Sequence, residues 1–206
     1  METSKRRLVL TASVAIAAGA VAFVLSAGNA RGAEPAAGPS VQIDATSFGC
    51  IRKMTPVRHF YVGNLNGDLA ATVAAASSAT GAIYPPGSVI QLVPAEAMVK
   101  REKGFNAATH DWEFFELDVS KDGTQIGKRG FAEVVNRFGG NCFGCHAAAR
   151  PEWDLVCEDS HGCAPIPLTR AMSGALQRTD PRCDNGAISA EDMQALQQLK
   201  ELSKPR

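Results

Sequence analysis

Hydrophobic positions fall into distinct patterns along the chain. Residues 8–28 (LVLTASVAIAAGAVAFVLSAG) form one unbroken, charge-free run. Beyond it, short alternating stretches predict strands, and stretches of three-to-four spacing predict helices. Residues 57–63 (VRHFYVG) have the β-branched and aromatic content of a strand. Asn64-Leu65-Asn66-Gly67-Asp68 is turn chemistry, and Asn66 or Asp68 caps an Ala-rich helix predicted over 69–79. The same string lacks the glutamate twelve positions on that an EF-hand calcium loop needs. Tyr84-Pro85-Pro86-Gly87 is a turn into a strand over 88–93 (SVIQLV), which Pro94 ends. Residues 97–101 continue as a second strand. Residues 112–119 (WEFFELDV) are the strongest strand, followed by a hairpin turn at Lys121-Asp122-Gly123 and a return over 124–126. Residues 131–138 (FAEVVNRF) have helical spacing, with Phe131, Val134, Val135 and Phe138 on one face and Gly139-Gly140 as the stop. Ser189 opens a last helix whose Met193, Leu196, Leu199 and Leu202 make an apolar stripe. Without any internal repeat, this order predicts an α+β fold: a small antiparallel β-sheet with surrounding helices.

The apolar run at 8–28 follows Lys5-Arg6-Arg7 and precedes the small residues Gly28-Asn29-Ala30. A basic start, an apolar core and small residues describe a secretory signal peptide. The run is also close to the roughly 20 residues that span a bilayer, so a retained N-terminal membrane anchor is the second reading. Both place the rest of the chain in the periplasm or outside the cell. The expected organisation is a signal peptide or anchor over 1–30 and a flexible Gly/Pro/Ala-rich lead-in over 31–45. A main domain follows over 46–156, then a C-terminal extension over 157–206 that ends in a helix.

Composition narrows the class. The chain has 206 residues, 45% of them hydrophobic, with 21 basic and 21 acidic side chains. That excludes a disordered chain, and the balanced charge lacks the basic excess of a nucleic-acid binder, so no nucleic-acid partner is expected. Six cysteines are present, and their positions matter more than their number.

Cys142-Phe143-Gly144-Cys145-His146 is C-x-x-C-H, the attachment signature of c-type haem. Two thiols three apart reach the two vinyl groups of one porphyrin, and the adjoining histidine is placed to ligate the iron. Cys142, Cys145 and His146 are therefore the expected cofactor-binding residues, with His146 the metal ligand of one covalently attached haem c. Three other readings of the motif compete. A thioredoxin-like redox pair follows a strand in a βαβ unit, whereas a helical pattern and Gly139-Gly140 precede this motif. A zinc site needs a second ligand cluster, for which Cys157, His161 and Cys163 are the candidates. A structural disulfide between Cys142 and Cys145 would close a strained short loop.

Cys50, Cys157, Cys163 and Cys183 remain, and four cysteines allow three pairings. An oxidising compartment favours their oxidation. Cys157 with Cys163 makes a small loop around Ser160 and Gly162, which leaves Cys50 with Cys183; the other pairings stay open. His59, among aromatics in a predicted strand, is a candidate sixth iron ligand, although an ordinary structural role is simpler. His110 and His161 read as structural or solvated. Met54 and the other methionines are conceivable axial ligands, with no motif to single one out. Phe114, Phe115 and Phe131 are candidates to pack a haem.

From about Val57 to Val156 the chain resembles the cytochrome P460 family. The resemblance rests on Tyr84-Pro85-Pro86-Gly87-Ser88-Val89, on residues 112–118, and on Asn141-Cys142-Phe143-Gly144-Cys145-His146-Ala147-Ala148-Ala149 followed by Asp154-Leu155-Val156. It covers about half of the chain. It implies an antiparallel sheet with the haem packed against it, and a five-coordinate iron with an open side. Some members oxidise hydroxylamine using a lysine cross-linked to the porphyrin. Others, the β-sheet cytochromes c′, lack the cross-link and bind nitric oxide or similar gases. Here the strand over 88–93 has Gln91 at its middle and no lysine; Lys100 and Lys103 are the nearest downstream. Asp111 and Glu113 are candidates for a carboxylate beside the haem.

The expected protein is an exported monohaem c-type cytochrome of P460-like type. It would bind or oxidise a small nitrogen species, hydroxylamine or nitric oxide, and pass electrons to a periplasmic redox partner. The alternatives are a plain electron-transfer cytochrome with a six-coordinate iron, and a haem gas-binding protein without turnover. A homodimer is compatible with all three.

Overall fold

The computed structural model describes residues 41–204. The expected signal peptide or anchor and the lead-in up to residue 40 lie outside the described residues. Among the described residues, no helix is long and apolar enough to cross a membrane.

Six strands form one antiparallel sheet in sequence order: β1 (Thr55–Val57), β2 (Phe60–Asn64), β3 (Ser88–Gln91), β4 (Glu96–Lys100), β5 (Trp112–Ser120) and β6 (Gly123–Gly130). Four α-helices accompany it: α1 (Leu69–Ser77), α2 (Cys142–His146), α3 (Arg170–Arg178) and α4 (Ala190–Leu202). The α+β expectation holds at this level. Each strand pairs with its chain neighbour: β1–β2, β3–β4 and β5–β6 through tight turns, β2–β3 through the segment that carries α1, and β4–β5 through the loop 101–111. The first predicted strand is in fact two. Val57 pairs with Phe60, and Arg58-His59 form the turn between them, Arg58 with φ of 51°. Neither turn residue, Arg58 or His59, is a Gly, Asn or Pro that would announce the turn. β6 extends past the predicted 124–126 to Gly130, with a register irregularity opposite Glu116 and Leu117. As an edge strand it carries Lys128 and Arg129, which discourage pairing with another sheet.

Side chains alternate across the sheet, and both faces are apolar. Phe60, Val62, Ile90, Met98, Trp112 and Phe114 form one core, with Tyr84, Val134, Leu155 and Val156 packed in. Phe115, Val89, Val99 and Leu117 face the other way, onto Ile43 and Phe48. Asn64 accepts from the backbone N–H groups of Asn66 and Asp68, and Asp68 caps α1 at Ala71, so the oxygen-rich string works as turn and cap.

Residues 131–138 do not form the predicted helix. Asn141 donates its side-chain amide to the carbonyls of Phe131, Ala132 and Val134, and Val135 bridges to Asn141 instead. Those carbonyls are the ones a helix would have used. Asn136 accepts from the N–H groups of Phe138 and Gly140, which closes the following turn. α4 begins where predicted, with Ser189 accepting from Asp192 N. Its buried residues are Asp192, Ala195 and Leu199, while Met193 and Leu202 are exposed.

The region 164–182, unreadable in the sequence, contains α3, capped by Thr169. α3 and α4 share a core of Met172, Ala175, Ala195 and Leu199. Gln177 donates to the carbonyls of His59 and Leu92, both at 2.8 Å, tying α3 to the sheet. Cys50 is bonded to Cys183, and Cys157 to Cys163. Two disulfides indicate an oxidising, exported environment.

Candidate functional site

A cavity of about 600 Å³ lies between the sheet face that carries Phe60, Ile90, Met98 and Phe114 and the segments around Cys142–His146 and 156–173. That volume is within the roughly 300–1,000 Å³ of sites for cofactor-sized ligands. The hydrophobic lining is continued by Leu92, Val156, Ile166 and Leu168.

The motif C-x-x-C-H is one wall of this cavity. Asn141 caps the short helix α2 by accepting from Gly144 N at 2.7 Å, which fixes the spacing of the two thiols. Cys142 and Cys145 are free and partly buried, in a chain whose other four cysteines are paired. Burial pushes the Cys142 thiol up to about 12, reinforced by the nearby carboxylates of Glu96 and Glu116. A redox dithiol needs the opposite, a stabilised thiolate. The zinc alternative loses Cys157 and Cys163 to their disulfide. Among the described residues, no group of three or more His, Cys, Asp or Glu is arranged to hold a bare metal ion.

His146 is held by its Nδ1, 2.6 Å from the carbonyl oxygen of Leu155. A carbonyl only accepts, so Nδ1 carries the proton and Nε2 keeps its lone pair. Burial lowers the imidazole pKa, against the opposing effect of that hydrogen bond, and favours the neutral ring a metal requires. The ring of Phe114 lies 5.2 Å away, centre to centre. Two unpaired thiols, an imidazole with a free Nε2 and a cavity of this size with an apolar sheet face fit a covalently attached haem. Cys142 and Cys145 would hold its porphyrin and His146 its iron.

The structure redistributes the other sequence candidates. Phe114 lines the cavity with its ring in the same core as Phe60 and Met98, whereas the ring of Phe115 packs on Phe48 across the sheet. Phe131 is 42% exposed and is not part of the lining, although it packs edge-on against Phe143. Met54 packs in the opposite core; Met98 is the methionine at the cavity. Asp111 is spent on Asn106 N, and Glu113 is clamped by Arg101 and Arg129. Three other carboxylates, which sequence reasoning passed over, line the cavity: Glu96 on the sheet side, and Glu158 and Asp159 on the facing segment. Burial raises the pKa of Glu96, although the Arg137 N–H and charge oppose this. Its signal was the alternation of β4, which puts Glu96 on the same side as Met98.

His59 does reach the cavity, with Nδ1 3.5 Å from Glu158. Burial and then the charge of Arg170 lower its pKa, so the neutral ring is favoured. His161 is stacked on Trp153 at 3.6 Å, with Nδ1 bonded to the Val156 carbonyl. His110 lies 3.4 Å from the buried Asp154. Lys100 is bound by Asp154, and no lysine is among the residues that line the cavity.

Compared with known proteins, the chain matches no family model, no curated protein and no solved structure.

Proposed function

We propose that this chain is an exported monohaem c-type cytochrome that binds a small nitrogen species, nitric oxide or hydroxylamine, at its haem and exchanges electrons with a periplasmic partner. The observation that carries the reading is the state of the motif. Its two thiols are the only unpaired cysteines, its imidazole keeps a free Nε2, and all three face one cavity with an apolar sheet face. The haem would lie against the sheet face formed by Phe60, Ile90, Met98 and Phe114, as the resemblance to the cytochrome P460 family implies.

Bound there, a haem supplies an iron for small-molecule ligation and one-electron exchange. The chain's own groups set the conditions. Cys142 and Cys145 fix the porphyrin, and His146 orients a neutral donor towards the metal. The walls are mixed: Phe60, Ile90, Met98 and Phe114 offer an apolar face to a porphyrin, while Glu96, Glu158, Asp159 and Arg170 bring polar groups to the cavity. Glu96, whose pKa burial raises, is a carboxyl at the cavity wall suited to carry a proton.

Within this reading, Lys100, which Asp154 holds at 2.8 Å, is committed away from a porphyrin, and this favours the gas-binding kind of site over one with a lysine–porphyrin cross-link. Optical spectra of the matured protein in ferric, ferrous and nitric-oxide-treated ferrous states test the proposal. High-spin ferrous bands that shift with nitric oxide support an open site. Sharp low-spin bands indifferent to nitric oxide would move the assignment to a plain electron carrier. Electron release from added hydroxylamine would separate an enzyme from a binder.

A further inference from the structure

The carbonyl that holds His146 belongs to Leu155, and Leu155 follows a residue embedded in an unusual set of contacts. Asp154 is fully buried. Both carboxylate oxygens lie 2.8 Å from Lys100 Nζ, itself buried, and Oδ2 also accepts from Tyr84 N at 2.9 Å. Its main-chain carbonyl accepts from the indole N–H of Trp112 at 2.7 Å. Lys100 Nζ donates in addition to the His110 carbonyl at 2.6 Å. Three strands or turns of the sheet therefore converge on one aspartate.

The backbone at this point is strained. Asp154 and Leu155 have φ of 48° and 63°, two consecutive non-glycine residues in the left-handed region. Such a conformation persists only where its surroundings over-determine it. Here the surroundings are Lys100, Tyr84 N and Trp112, and the effect of the conformation is to turn the Leu155 carbonyl onto His146 Nδ1. An ordinary extended residue at 154 would send the chain, and that carbonyl, elsewhere.

We propose that Asp154 is the positioning residue of His146: anchored by Lys100 and Trp112, it holds the Leu155 carbonyl that fixes the tautomer and donor strength of the imidazole. This rests on the haem reading above for its consequence, but not for its geometry. A strong hydrogen bond from Nδ1–H to a carbonyl makes Nε2 a better donor, which stabilises the oxidised metal. Weakening it should raise the reduction potential.

The test uses the full chain, matured with and without haem. Asp154→Asn combined with Lys100→Met removes the buried charge pair as a unit, so that neither partner is left alone. Trp112→Phe, which deletes only the indole N–H, is the milder second variant. Glu113→Gln, in a buried ion cluster on another face, controls for general destabilisation. Nitrogen-15 NMR of the haem-free chain should show His146 protonated at Nδ1 alone in the parent and in Glu113→Gln. In the two Asp154-region variants it should show a mixture of tautomers. In the haem-loaded protein, those same variants should have a higher reduction potential and a lower iron–histidine stretching frequency. Parent-like tautomer, potential and stretching frequency in a variant that keeps both disulfides would overturn the proposal. If the parent takes up no haem, the functional reading fails, while the NMR comparison still decides the positioning role.

Discussion

His146 and Leu155 are joined by a 2.6 Å hydrogen bond from the imidazole Nδ1–H to the main-chain carbonyl. The bond leaves Nε2 as the ring's only lone pair, and burial lowers the imidazole pKa so that the lone pair stays unprotonated at neutral pH. Nine residues of sequence separate donor from acceptor. The chain returns to meet the histidine because residues 154 and 155 both take left-handed conformations.

The first prediction concerns the motif itself. His146→Ala should leave haem covalently attached but change the iron spectrum, because the thiols hold the porphyrin and not the metal. Replacing both Cys142 and Cys145 by serine should abolish attachment, while either single change leaves one thioether. Mass spectrometry of the denatured chain reads attachment, and absorption spectroscopy reads ligation. An unchanged spectrum in His146→Ala would remove it as the ligand.

Glu96 makes a prediction about pH. Burial raises its pKa, so the folded chain retains a proton that the unfolded chain has already released. Stability from this group is full below the ordinary glutamate range. It declines as pH rises from that range through the raised value, then levels off. Glu96→Gln should remove this decline. Thermal unfolding of the haem-free chain across that window should show the glutamine variant gaining on the parent as pH rises. Parallel curves would contradict the burial cost.

Asp180 makes the opposite prediction. Burial pushes its carboxyl up, but hydrogen bonds from Arg182 and from Ile51 N, with the arginine charge, prevail and hold the pKa below the usual range. Its contribution is present above the unfolded aspartate value and lost as pH falls through the lower folded value. Asp180→Asn leaves Arg182 buried and uncompensated, so it should cost about 3–5 kcal/mol in denaturant unfolding at neutral pH. The gap should narrow in acid. A loss of less than about 1 kcal/mol would show that water reaches the pair.

The bond between Cys50 and Cys183 closes a loop with a sequence separation of 133. Replacing both cysteines by serine should cost about 2–5 kcal/mol, since long loops lose most when a cross-link is removed. For a chain of this size the melting temperature should drop by about 4–20 °C. No change would mean that the hydrogen bonds of Gln177 and Asp180 are enough to hold the C-terminal region to the sheet and to Ile51.

Much of the sheet was legible because alternation is local. Residues 112–119 bury Trp112 and Phe114 on one side and Phe115 on the other, and the sequence pattern reads so directly. The turn at Arg58-His59 was not legible, because its stability comes from pairing of Val57 with Phe60 and not from turn-forming residues. The predicted helix over 131–138 failed for a non-local reason: one amide, on Asn141, takes three of its carbonyls. The stripe on α4 holds at Leu196 and Leu199, which pack in the core shared with α3, and fails at Met193 and Leu202, which are exposed while Ala195 is buried in their place.

The site was legible where chemistry is written in spacing. C-x-x-C-H and the small loop between Cys157 and Cys163 are short-range patterns, whereas the pairing of Cys50 with Cys183 is one of several that the sequence leaves open and the fold decides. The cavity's carboxylates Glu96, Glu158 and Asp159 were not legible, because setting aside Glu113 requires knowing that Arg101 and Arg129 occupy its face of the sheet. Nor does a sequence show that Asp154 is fully buried against Lys100 and Trp112.

The most direct measurement is the optical spectrum of the protein produced in a host that attaches haem c, recorded in ferric, ferrous and ferrous-plus-nitric-oxide states. The expected result is a chromophore that survives denaturation, high-spin ferrous bands, and a shift on adding nitric oxide. A colourless chain, or a ferrous spectrum that is low-spin and unmoved by nitric oxide, would contradict an open haem site in this cavity.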